Sequence, residues 1–241
     1  MFKNVYVLFL LILLGCNRNS DLKPKRLYGT VKAQDSVVYK TIKIETIVWM
    51  AENLRTTVYN DGTVIPSAKN TLGCYSCTTG SQCTYNMTEV SDSIKTFGRF
   101  YNYYAIKSNK LCPKGWHVPT ELEWDKMENY LMTHGYSCNS NNIYEIAKSL
   151  ASDSNWKKSV YTDAIGYVQS VNNRSGFNAE PAGYLNNSGS FVELGISTHF
   201  GTSSSPNGNN LFYHILSYDD QYVKYNFADS HSYLSVRCVK E

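Results

Sequence analysis

Gly98-Arg-Phe-Tyr-Asn-Tyr-Tyr-Ala-Ile-Lys107 leads into Cys112-Pro-Lys-Gly-Trp-His-Val-Pro-Thr-Glu-Leu-Glu-Trp124, and Ser235-Val-Arg-Cys-Val239 answers them near the other end of the chain. The middle segment is the most explicit as local chemistry. Pro119 disfavours helical backbone in the residue before it, so the extended run from Cys112 stops there. Thr120 then stands as an N-cap with Glu123 three residues on, the reciprocal arrangement of a capping box. Trp124, Met127 and Leu131 follow at spacings of three and four, which is one buried face of a helix. In the first segment Phe100, Tyr101, Tyr104 and Ala105 fall near one face of a helix expected over residues 97–107.

Outward from this block, residues 37–50 alternate apolar and polar side chains around Ile42, Ile44, Ile47 and Trp49, the period of a half-buried strand pair with Glu45-Thr46 as its turn. Residues 59–95 are rich in Thr, Ser, Asn and Gly without helical periodicity, and are expected to form a long loop. A short third helix is expected within 143–150. From Gly176 onward short apolar runs at 177–179, 184–185, 190–194, 211–218, 221–227 and 232–239 alternate with Gly, Asn and Ser, the pattern of strands and turns. Asp219-Asp220 is read as the turn of a hairpin over 211–227, in preference to a calcium site, because two carboxylates supply too few ligands.

At the N-terminus Lys3 precedes an unbroken apolar run over residues 5–14. A bilayer needs about 20 residues in a helix, so this run reads as an export signal. It ends in Leu13-Leu14-Gly15-Cys16, the pattern of a lipobox, which makes Cys16 the expected lipid attachment site and residues 1–16 the signal. Residues 17–36 are read as a tether and 37–241 as one domain. The net charge is only +3 without a basic run, so no nucleic-acid partner is expected. Aromatics make up 14% of the chain, with twenty Tyr, read chiefly as half-buried packing and secondarily as binding surface. Besides Cys16 there are Cys74, Cys77, Cys83, Cys112, Cys138 and Cys238, an even set that argues for disulfides in an exported chain. Zinc on the Cys74, Cys77 and Cys83 cluster is the weaker alternative, since a second close pair is missing.

The quoted segments, with Val48-Trp-Met-Ala-Glu-Asn-Leu54, resemble the Fibrobacter succinogenes major paralogous domain, a module of surface lipoproteins related to the C-type-lectin-like and formylglycine-generating-enzyme folds. The resemblance implies an α+β, C-type-lectin-like domain with two main helices, twisted antiparallel strands and long loops, its first and last strands paired. It also implies a disulfide between Cys112 and Cys238. The loop at 195–210 lies where the family carries an aromatic run; here it holds His199 and Phe200, candidates for stacking on a sugar ring, against the alternative that they fill the core.

The chain carries few catalytic patterns. No phosphate loop, paired-histidine metalloprotease helix or serine elbow is present. His117 is read as a packed side chain with one structural hydrogen bond. Glu180-Pro181-Ala182 matches only part of the calcium-lectin triplet, and the closely spaced cysteines of formylglycine-generating enzymes are missing from the C-terminal third. The expectation is a non-catalytic lipoprotein without cofactors, lipid-anchored and outer-membrane, binding a glycan, protein or matrix. An enzyme with altered chemistry or a structural subunit of a surface assembly is the alternative.

Overall fold

The structure, a computed structural model, describes residues 26–68, 77–139 and 141–241. It is α+β, with three antiparallel sheets. The alternating run near the start folds as β2 (Val38–Ile44) and β3 (Ile47–Met50), with Ile44 opposite Ile47, so Glu45-Thr46 is the two-residue turn. Glu45 takes positive φ there. The C-terminal β12 (Val239–Lys240) pairs with β3, Val239 opposite Trp49. Thus the two ends of the domain share one sheet, and the disulfide Cys112–Cys238 bolts that last strand to the segment before the main helix.

That sheet has one more member. β1 (Leu27–Lys32) pairs along its whole length with β2, Leu27 opposite Lys43 and Lys32 opposite Val38. The stretch expected to be tether therefore already contains a strand. Only one of its six residues is even half-buried, so this edge strand has no alternating signature to read.

The helix forecast after Pro119 is α3 (Glu121–Thr133), with Thr120 as N-cap and both bonds of the capping box in place. We number before it α1 (Ser91–Phe97) and α2 (Tyr103–Ile106). These two replace the single helix expected over 97–107, and α1 lies in the region expected to be loop. Gly98 ends α1 at φ 79°, where a Cβ would stand 2.6 Å from Asn53 Cβ. The chain then enters β5 (Phe100–Asn102), which pairs with β4 (Gln82–Cys83) and β11 (Tyr233–Leu234). Asn102 caps α2 by accepting from the Ala105 N–H. The third helix is only α4 (Ala147–Leu150), and residues 177–179 contribute a single bridge, Ala151 with Ala179.

The remaining strands are β6 (Tyr184–Leu185) and β7 (Phe191–Val192), which extend the β4-β5-β11 sheet, and β8 (Ser197–Gly201), β9 (Leu211–Ser217) and β10 (Lys224–Ala228), which form the third. Residues 197–201, expected to be loop, are a strand buried at every position. The core centres on Trp49, Trp124, Phe177 and Phe200, whose rings meet edge-on or tilted at centroid separations of 5.2–5.7 Å. Arg237 lies over this cluster, its guanidinium carbon 4.3 Å from the Phe177 ring. Among the described residues no helix is long and apolar enough to cross a membrane.

Candidate functional site

The strand β8 separates the two residues offered as a joint sugar platform. Successive side chains on a strand point to opposite faces. Phe200 enters the core with 0% exposure, so it presents no surface to a ligand; the pair is not a binding platform. His199 points the other way and stacks against Tyr184 at 4.0 Å and beside Tyr213 at 5.2 Å.

Those two tyrosines belong to a cleft of about 320 Å³ between the second and third sheets. Tyr184 comes from β6, Tyr213 from β9 and Phe227 from β10. Asn186, Asn187, Asn210 and Asp229 add polar groups, and among the described residues no Lys or Arg lines the cleft. The bridge Gly183 to Thr198 and the bridge Phe200 to Ser235 hold the sheets at this distance. Gly183 must be glycine: its φ is +67°, and a Cβ there would stand 2.2 Å from the Val192 carbonyl oxygen. One rim closes through the Asn187 amide, which donates to Asp229 at 2.9 Å. Burial raises the phenols of Tyr184 and Tyr213, so both stay neutral hydroxyls at ordinary pH.

Beneath the tyrosines sits a second polar layer. His199 Nε2 meets Glu193 at 3.0 Å and Ser197 Oγ at 2.8 Å, while the Ser197 hydroxyl donates to Glu193. The hydrogen bond from His199 holds the Glu193 carboxyl below its ordinary value, with Ser197 adding to it against the opposing effect of burial. Serine, histidine and carboxylate are the parts of a hydrolytic triad, but the connectivity is wrong. In a triad the serine and the carboxylate occupy different ring nitrogens; here both occupy Nε2, and the serine proton points at the carboxylate. Among the described residues Nδ1 is buried without a partner. The arrangement orients the His199 ring under Tyr184 rather than activating Ser197.

The other sequence candidates are placed as follows. Cys112 and Cys238 are joined. Cys83 lies in β4, Cys77 in the loop before it and Cys138 after α3; Cys16 and Cys74 lie outside the described residues. Among the described residues no three His, Cys, Asp or Glu side chains are placed to hold a metal ion. His117, half-exposed, meets Glu123 at 2.7 Å, one structural hydrogen bond. Asp219 accepts from Ser217 and Asp220 pairs with Lys224, which fits their turn role.

These features define an α+β domain closed by its own C-terminal strand, carrying an aromatic and amide cleft between two sheets. A family model described as the Fibrobacter succinogenes major domain matches residues 42–240, and the chain belongs to that family. No curated protein and no solved structure matches the chain.

Proposed function

We propose that this protein is a non-catalytic, lectin-like binding module, exported and anchored through lipid at Cys16, that holds a neutral glycan in the cleft of Tyr184, Tyr213 and Phe227. The observation that carries the reading is the lining itself. Three aromatic rings offer apolar faces to the C–H face of a sugar, and asparagine side chains offer both donors and acceptors to its hydroxyls. Among the described residues Asp229 is the one charged side chain of the lining, it pairs with His231 at 3.5 Å, and no Lys or Arg lines the cleft, so sugars bearing carboxylate or sulfate are disfavoured. The buried His199, pinned by Glu193, supports the Tyr184 ring from below, and such preorganisation reduces the ordering cost of binding.

A glycan array probed with the full chain tests this. Neutral glycans should be retained, and Tyr184→Ala with Tyr213→Ala should weaken them by about tenfold or more while the far-ultraviolet circular dichroism is unchanged. Retention insensitive to both substitutions removes the cleft from the reading. For the anchor, acyl label should enter the wild-type chain and be absent from Cys16→Ala.

A further inference from the structure

A second cleft, of about 440 Å³, opens on the side of the molecule where α1 faces the segment 178–180. Its lining includes Asp92, Lys95, Glu180 and Arg237. Among the described residues no ion pair involves any of these four. Glu52, also in the lining, differs: it pairs with Arg55 and accepts the Lys40 backbone N–H.

For surface groups such as Asp92 and Lys95 an unpaired charge is ordinary. For Arg237 it is not, because arginine is almost never fully buried without a carboxylate, and this one is 1% exposed. Its Nε donates to Asn53 and its terminal nitrogens to the carbonyls of Phe177, Asn178 and Met50. Five N–H groups are available, so among the described residues one on Nη2 remains uncommitted. Burial lowers the guanidinium to about 9, against the longer-range pull of Glu180 and Glu52. Glu180 is the mirror case. Its carboxyl accepts from Asn155 at 3.0 Å, Ser152 at 3.1 Å and Asn178 at 3.4 Å, and burial raises it against those bonds and against Arg237. One cleft therefore holds a buried cation and a half-buried carboxylate that act on each other only at longer range, without a contact ion pair among the described residues, each held in place by neutral donors or acceptors.

A simple anion entering there meets Glu180 and Asp92, and a simple cation meets Arg237 and Lys95. A ligand with both charges satisfies both sets. We propose that this cleft binds a zwitterion, a free amino acid or a short peptide with both termini free, whose carboxylate is received by Lys95 and Arg237 and whose ammonium is received by Glu180 and Asp92.

Titration calorimetry of the full chain with L-alanine and L-alanyl-L-alanine tests it, against N-acetyl-L-alanine, L-alanine amide and glucose. At least one zwitterion should saturate a single site, and its two single-charge analogues should bind about tenfold weaker or worse. Preference between the two zwitterions reports which source the cleft accepts. Lys95→Met, an exposed change that leaves the fold intact, and Glu180→Gln should each weaken the zwitterion by about tenfold, whereas Tyr184→Ala should not. Equal affinity for the capped analogues, glucose binding that Glu180→Gln abolishes, or no zwitterion binding up to about 10 mM overturns the proposal.

Discussion

The His214 ring lies flat against Trp124, 4.3 Å between centroids and 11° between planes. Each of its nitrogens also meets a carboxylate from the helix that carries Trp124: Nε2 stands 3.2 Å from Glu121 and Nδ1 3.0 Å from Glu128. A neutral imidazole carries one N–H, and only the imidazolium offers a proton to both carboxylates. Burial alone lowers the pKa of His214, but the contacts with Glu121 and Glu128 outweigh it and the net shift is upward. A raised folded-state pKa means that the contribution is fully present below the unfolded value, about 6.5, and is lost as pH rises through the folded value. The urea midpoint should therefore fall as pH rises above about 6.5. His214→Gln should remove that slope and cost about 1.5–3 kcal/mol at pH 6. A slope that survives the substitution assigns it elsewhere.

Phe200 is enclosed by Trp124 and Phe177, each with its centroid 5.7 Å away, and has Arg237 above it at 5.3 Å. Phe200→Ala should destabilise the fold by about 3–5 kcal/mol, read as a drop in the urea midpoint, and should leave ligand affinity of the folded fraction unchanged. Wild-type stability in this variant would contradict the burial of the ring.

The bond between Cys112 and Cys238 joins positions 126 residues apart. Reduction removes the constraint that this loop closure places on the unfolded ensemble. Replacing both cysteines by Ala should cost about 2–5 kcal/mol. Peptide mapping without reduction should recover the two cysteines in one linked species.

What was legible in the sequence was a face whose apolar residues recur at the period of their element. Trp124, Met127 and Leu131 do so on the Thr120 helix, and Ile42, Ile44, Ile47 and Trp49 do so on one face of the β2–β3 hairpin, although Tyr39, Thr41 and Met50 are buried on its other face. β5 is buried at Phe100, Tyr101 and Asn102 alike, which erases alternation and let a helical spacing suggest itself. α1 buries no residue fully, and β1 is an exposed edge. β8 reads Ser-Thr-His-Phe-Gly, a loop composition, and is a strand because its backbone pairs along its length with β9, while Glu193 satisfies the serine and histidine on the face opposite Phe200. The cleft was not legible residue by residue: Tyr184, Tyr213 and Phe227 are brought together only by the pairing of sheets. Residues 195–210 did stand out in the sequence, and their His199 supports the cleft although it does not line it.

The capping box links helix entry to acid stability. Glu123 Oε2 accepts from the Thr120 backbone N–H and from its hydroxyl, both at 2.8 Å, while Oε1 meets His117. Burial raises the Glu123 carboxyl, but the Thr120 and His117 bonds outweigh it, so the net shift is downward. For a depressed carboxyl the contribution is present above the unfolded value, about 4.3, and disappears as pH falls through the folded value. Thr120→Ala removes the hydroxyl from both bonds it makes with Glu123 and should cost about 1–2 kcal/mol at pH 7, whereas Thr120→Ser should recover most of it. The gap between Thr120→Ala and wild type should then narrow below about pH 4, because protonating Glu123 weakens the same contacts in the parent. Urea midpoints measured from pH 3 to pH 7 decide the matter: a gap constant over that range would mean that Thr120 acts on the helix without Glu123.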